Sequence, residues 1–222
     1  MSTTESRGLF ISFEGGDGSG KTTQIRRLAA RLRAAGHETV ETVEPGGTPI
    51  GRQIRQILLD PANNALDARA ELLLYFASRA QNVHELILPA LAAGKVVVCD
   101  RFTDSTLVYQ GYGRGLGEAF VHRLHEIACG TIEPDLTFYL DIDLETALGR
   151  ALARNREQSN TAESRMDEQP VAFHREVRDA YLDLAARHFQ RIVVIDARPD
   201  EATIERSIWE TLAPRLEKLR AL

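Results

Sequence analysis

Cysteine is scarce in this chain. The 222 residues contain two, Cys99 and Cys129, too few for a disulfide scaffold or a cysteine metal cluster. Cys99 lies in the apolar run KVVVC and reads as a small buried hydrophobe. Positive charge is not in excess either. The formal net charge of -5 repels polyanions, so no nucleic-acid or anionic-membrane partner is expected, and any phosphate chemistry must rest on local cations. No apolar stretch approaches the length of a membrane span, and the opening MSTTESR lacks the apolar core of a secretion signal. The expectation is a cytoplasmic protein. Internal repeats and Pro/Gly/Ser linkers are absent too, so residues 1–222 read as a single domain.

What is present alternates. GLFISFE, ETVETVE, KVVVCD, DLTFYLD and RIVVID read as strands, most of them continuous apolar runs of the buried kind. Between them lie helical patterns. TTQIRRLAARLRAAG puts Ile25, Leu28, Ala29 and Leu32 on one face, with Gly36 as its stop. Further helices are read over IGRQIRQILLD, ARAELLLYFASRAQNVHELILPALAAG (with Pro89 marking a break or a new start), EAFVHRLHEIACG, LETALGRALAR, AFHREVRDAYLDLAARH and EATIERSIWETLAPRLEKL. Buried strands alternating with helices predict an α/β fold, a parallel sheet covered by helices on both faces.

GGDGSGKT, Gly15 to Thr22, fits G-x-x-x-x-G-K-[ST] and falls between a predicted strand and a predicted helix. Gly15, Gly16, Gly18 and Gly20, with Asp17 and Ser19 between them, let the backbone turn its N–H groups around a phosphate at a helix N-terminus. Lys21 can reach the β- and γ-phosphates, Thr22 can ligate Mg²⁺, and Thr23 beside it is expected among the ATP contacts. This predicts a nucleoside triphosphate site on a P-loop NTPase-type three-layer α/β/α fold. KVVVCDRFTDS then ends a strand in Asp100, beside that loop, where a carboxylate can hold Mg²⁺ through water. Arg101 offers a bidentate fork to a second phosphate. A polar, aperiodic insert at about 153–168, with Arg150, Arg154, Arg156 and Arg165 along or just before it, reads as a short mobile basic lid. In LLLYFASRAQ, Tyr75 and Arg79 share a helical face, where a ring and a guanidinium can sandwich and read a base, whereas Phe76 points into the core.

Three readings compete at this stage. The first is a kinase for a nucleoside monophosphate. The second is a kinase for nucleosides, which would need a base such as Glu14 to activate a 5′-hydroxyl. The third is a GTP-binding switch, against which stand the missing N-K-x-D motif and the missing D-x-x-G after the second strand.

FEGGDGSGKTTQ, EPGGTPIGRQIR, YFASRAQ, DRFTDSTLVYQGYGRGL and RMDEQ together resemble the thymidylate kinase family, in its order and approximate spacing, from Phe10 to about Ile195. The resemblance implies transfer of the γ-phosphate of ATP, with Mg²⁺, to dTMP, giving dTDP for dTTP synthesis, by an enzyme that is generally a homodimer. It also implies that Asp17 accepts the sugar 3′-hydroxyl, and that Tyr75 stacks on thymine where the family usually has phenylalanine. Arg79 would bond the thymine O4, and Thr106 and Gln110 would approach base or sugar. Tyr109 would crowd a ribose 2′-hydroxyl, and Glu44, Arg55 and Arg101 would surround the dTMP phosphate. Arg150 would stack on adenine, with backbone near Asp196 and Ala197 touching the same base. Gly18 stands where one branch of the family carries a P-loop arginine, so the resemblance assigns the transition-state arginine to the lid, as in bacterial members: Arg154 or Arg156, with Arg165 an anchor or an alternative.

Overall fold

The computed structural model describes residues 7–147, 150, 165–166 and 169–220. All five predicted strands form: β1 (Phe10–Glu14), β2 (Thr39–Val43), β3 (Val96–Asp100), β4 (Leu136–Asp141) and β5 (Ile192–Asp196). They make one parallel sheet in the order β2-β3-β1-β4-β5. Helices α1 (Lys21–Ala34), α2 (Pro49–Leu59), α3 (Ala68–Asn82), α4 (Leu88–Ala92), α5 (Thr103–Thr106), α6 (Glu118–Cys129), α7 (Val171–Arg187) and α8 (Glu201–Arg220) connect and cover it. A π-helical turn over Val83–Ile87 carries α3 into α4 just before Pro89, whose missing N–H such a turn accommodates.

Local chemistry sets the boundaries. Thr48 Oγ1 accepts from Gly51 N at 3.0 Å, with Pro49 in the first turn, which starts α2. Asp67 Oδ1 accepts from Arg69 N and Ala70 N to start α3. Gly36, φ 86°, follows the end of α1 as its sequence implies. The stretch Thr103–Gly113, α5 followed by a π-helical run over Leu107–Gly113, is helical although its sequence has no apolar period. A helix with π-turns does not repeat at 3.6 residues, so periodicity passes it by.

The central strand β1 explains where the site lies. Ile11 and Phe13 point into the core made with α1 and α8 (Leu28, Leu32, Ile208, Leu212). Phe10 points to the opposite face, against Val83, Ile87 and Phe102. Truncating a wholly buried ring such as Phe13 costs about 3–5 kcal/mol. Strand alternation puts Ser12 and Glu14 on the same face as Phe10, and both are fully buried. Ser12 Oγ meets Thr137 Oγ1 at 2.7 Å, and Thr137 and Arg191 both reach Asp104. One face of the sheet is thus apolar packing, and the other carries hydrogen-bonded polar groups toward the strands' C-terminal ends.

Candidate active site

The glycine loop leaves β1 and enters α1 through three left-handed glycines, Gly15, Gly18 and Gly20, with φ of 141°, 78° and 87°. A Cβ on Gly15 would come within 2.7 Å of Leu140 O, and one on Gly18 within 2.4 Å of Ala147 O, so both positions need glycine for space as well as for φ. The Lys21 ammonium folds back onto the loop, donating to Gly15 O at 2.8 Å and Gly16 O at 3.0 Å. Burial, then Arg101, pulls its pKa down, against the pull of Asp17, Asp100 and Glu14. Ser19 Oγ, buried in the loop, has no hydrogen-bond partner.

At the end of the neighbouring strand, Arg101 adopts a left-handed φ of 68°. For a residue other than glycine this costs on the order of 1–3 kcal/mol and persists only where the surroundings enforce it. Here they do. Arg101 N donates to Phe13 O at 2.9 Å, Cys99 Sγ to Arg101 O at 2.9 Å, and Phe102 N to Glu14 Oε1 at 2.8 Å. The guanidinium donates to Ser105 Oγ, lies 3.8 Å from Asp17 Oδ1 and stands 5.2 Å over the Tyr109 ring.

Glu14 sits beneath this turn. It accepts from Ser105 Oγ and Tyr181 OH on Oε2 and from Phe102 N on Oε1. A carboxylate so buried and so engaged does not reach out to a 5′-hydroxyl, which removes the role the nucleoside-kinase alternative would give it. Burial, then Asp104, pushes its pKa up to about 7. The native state therefore binds the proton more tightly than an unfolded glutamate does. This contribution to stability is complete below about pH 4.5 and lost as pH rises through about 7. Glu14→Gln, which cannot titrate, is expected to gain on the order of 1–3 kcal/mol relative to the wild type between pH 4.5 and about pH 8. Urea titrations across that range check it, and a difference that does not change with pH contradicts it.

The base-reading candidates lie on α3 and on the helical stretch after α5. Arg79 is 2% exposed. Its Nε donates to Glu44 Oε2, and its Nη2 to Thr106 Oγ1 at 2.8 Å and Phe102 O at 3.2 Å. Its Nη1 is buried without a partner. The Glu44 carboxylate, 2% exposed, accepts from Arg79 Nε and from Asn82 Nδ2. There it fixes a cation. Arg55 Nη1 donates to Pro45 O at 2.9 Å. Tyr75, one turn before Arg79, is half-buried, and burial, then Glu71, pushes its hydroxyl up to about 12. Tyr109 is buried against Tyr181 and Phe173, and Phe76 is in the core as the sequence indicates.

Glu71 is a hub that sequence reading missed. It is 1% exposed and accepts from Gln110 Nε2 at 2.8 Å, Arg165 Nη2 at 2.7 Å and, at 3.4 Å, Arg114. Arg165 also donates from Nε to Leu58 O, and its backbone N to Leu59 O at 3.3 Å. The Arg165 side chain is buried, with its guanidinium donating to Glu71 and to Leu58 O. Arg150 donates to Ala197 O at 2.8 Å and Arg198 O at 3.1 Å, which joins the two segments expected around adenine. Arg154 and Arg156, and the lid insert apart from Arg165 and Met166, lie outside the described residues.

Hard oxygen donors next to the loop are the exposed Thr22 hydroxyl and the half-buried Asp100 carboxylate. No group of three or more His, Cys, Asp or Glu side chains able to cage a metal occurs among the described residues. This donor set fits Mg²⁺, which keeps its waters, takes one or two protein oxygens and binds mainly through substrate phosphates. No helix among the described residues is long and apolar enough to cross a membrane.

Comparison with known proteins agrees across nearly the whole chain. The family model described as thymidylate kinase matches residues 13–208. A thymidylate kinase of Syntrophotalea carbinolica is 52% identical over 208 residues, 94% of this chain and 96% of that protein. One of Geobacter sulfurreducens is 48% identical over 211 residues, 95% of this chain and 99% of that protein. The crystal structure of thymidylate kinase from Ehrlichia chaffeensis superposes with a TM-score of 0.74 at 31% identity, covering 93% of this chain and 99% of that one.

Proposed function

The chain belongs to the thymidylate kinase family, and on that premise we propose how its residues carry the γ-phosphate of ATP to dTMP, giving dTDP and ADP. The enzyme is a nucleoside monophosphate kinase. The acceptor is already a phosphate monoester, largely ionised near neutral pH, so the reaction needs no strong base. Positioning and charge neutralisation suffice.

The amides of Gly15 to Thr22 and the Lys21 ammonium grip the triphosphate. Thr22 and Asp100 would hold Mg²⁺, which would supply charge neutralisation at the phosphates when bound. Arg101, locked in its left-handed turn, and Arg55 hold the dTMP phosphate in line with the γ-phosphate. Asp17, 42% exposed at the mouth of the loop and within 3.8 Å of Arg101, takes the sugar 3′-hydroxyl. Tyr75 stacks on thymine, Thr106 and Gln110 approach the base, and Tyr109 fills the space a ribose 2′-hydroxyl would need. Arg150 flanks adenine, and Arg154 or Arg156 takes up transition-state charge. Residues 1–222 work as one domain. The enzyme acts in the cytoplasm as a homodimer packed through helices, a reading supported by the exposed Ile50 and Ile57 on α2, Leu73 on α3 and Phe120 and Ile127 on α6.

The observation that carries thymine recognition is Arg79 Nη1. It is a buried N–H group without a partner on a guanidinium otherwise fixed by Glu44, Thr106 and Phe102. Leaving it so costs about 1–3 kcal/mol unless a ligand oxygen pays it back. Thymine O4 accepts there, and the cytosine amino group cannot. A coupled assay of dTMP, dUMP, dCMP, thymidine, UMP and CMP with ATP tests the assignment. Turnover of dTMP should exceed that of dCMP by at least a hundredfold in kcat/KM, with none for thymidine. Preference for a cytosine nucleotide or for a nucleoside would overturn it.

A further inference from the structure

Glu71 touches neither the glycine loop nor any group assigned above to phosphate, yet it joins the elements that carry the acceptor contacts. It stands on α3, four residues before Tyr75 and eight before Arg79. It receives Gln110 from the helical stretch after α5 and Arg165, which is itself bonded to Leu58 O at the end of α2. Arg114, one turn beyond Gln110, approaches both its oxygens at 3.4 Å and reaches Gln169 Oε1 at 3.1 Å. With two cations beside it, and with hydrogen bonds from Gln110 and Arg165, its pKa is drawn below the usual carboxylate range in spite of burial. It is therefore an anion, and an anionic carboxylate only accepts.

That fixes the neighbouring amide. Gln110 is 1% exposed, and an amide can present either its oxygen or its N–H₂ to a given neighbour. An ionised Glu71 takes the N–H₂ end, so the amide oxygen is turned away from it. We propose that Glu71 is a positioning residue for base selection: it locks the Gln110 amide so that an acceptor oxygen, not a donor, is offered to the pyrimidine edge. This rests on the reading above that Gln110 faces the base. Thymine presents an N3–H donor and an O4 acceptor, which Gln110 Oε1 and Arg79 Nη1 complement. Cytosine presents an N3 acceptor and an N4 donor, so both partners mismatch it. A Gln110 free to turn would satisfy cytosine N3 and keep only the Arg79 mismatch.

The test is the ratio of kcat/KM for dTMP to that for dCMP, measured with the whole chain and saturating MgATP. Glu71→Gln can face Gln110 with either end of its own amide, so the lock is lost. The ratio should fall at least tenfold, with KM for ATP unchanged within about twofold. A residue that served only folding would lower both substrates together, because both see the same folded fraction, and would leave the ratio where it was. Should Glu71→Gln leave Arg165 too poorly paired to fold, Glu71→Gln/Arg165→Met removes the stranded charge and should show the same fall. A ratio within twofold of the wild type in either folded variant overturns the inference. A wild type that does not distinguish dTMP from dCMP overturns the base-pocket assignment instead, and this inference with it.

Discussion

Lys21→Ala is expected to lower kcat by about a thousandfold while leaving the dissociation constant for dTMP within about twofold. Lys21 is 7% exposed and its ammonium donates to Gly15 O and Gly16 O, so it is already fixed inside the loop, where the β- and γ-phosphates would lie. A preorganised cation in a site shut off from water gains interaction as charge builds on the migrating group, and it needs no reorganisation to do so. Alanine leaves the amides of the glycine loop in place, so nucleotide still binds, and the loss falls on turnover. Of the proposed acceptor contacts, Arg79 and Tyr75 lie on α3 and Arg101 follows β3, while Asp17 shares the loop; the substitution removes none of these side chains. Steady-state kinetics with calorimetric titration of dTMP separates the two. A variant with near-normal kcat removes Lys21 from the chemistry.

Arg79→Met is the second large effect, and it acts twice. The guanidinium is the partner of a buried carboxylate, and removing it strands Glu44, whose pKa burial already pushes up. Breaking one half of a buried pair costs about 3–5 kcal/mol. The same substitution removes the donor proposed for thymine O4, so kcat/KM for dTMP should fall by about two to three decades. The two losses come apart in Glu44→Gln/Arg79→Met, where no buried charge is stranded. Urea midpoints should return most of the way toward the wild type while kcat/KM for dTMP stays low. Recovery of both together would make Arg79 a purely structural cation.

Much of this arrangement was legible in the residues. The glycine loop, the strand ending in Asp100–Arg101 and the apolar strands are local patterns: each is written within a few residues and carries its own physical reason. The parallel sheet followed from the same alternation. What was not legible is long-range and polar. Nothing in AELLLYFASRAQ marks Glu71 as buried, because its partners Gln110, Arg114 and Arg165 come from other segments. A charged residue on a helix is by default a solvated one. The burial of Glu44 is illegible for the same reason: its partner Arg79 lies 35 positions away. The helical stretch Thr103–Gly113 was invisible because its π-turns break the period that sequence reading relies on. Arg165 shows the opposite case. A basic residue in a polar insert is legible in the sequence, whereas its burial, which composition does not encode, is not.

The most direct measurement is a crystal structure of the enzyme with dTMP, a non-hydrolysable ATP analogue and Mg²⁺ bound together. The terminal phosphate should lie among the amides of residues 15–22 beside Lys21, with the dTMP phosphate in line with it at Arg101. The thymine should rest on Tyr75 with O4 at Arg79 Nη1. A pyrimidine bound away from the Tyr75–Arg79 face, or a triphosphate outside the glycine loop, would contradict it.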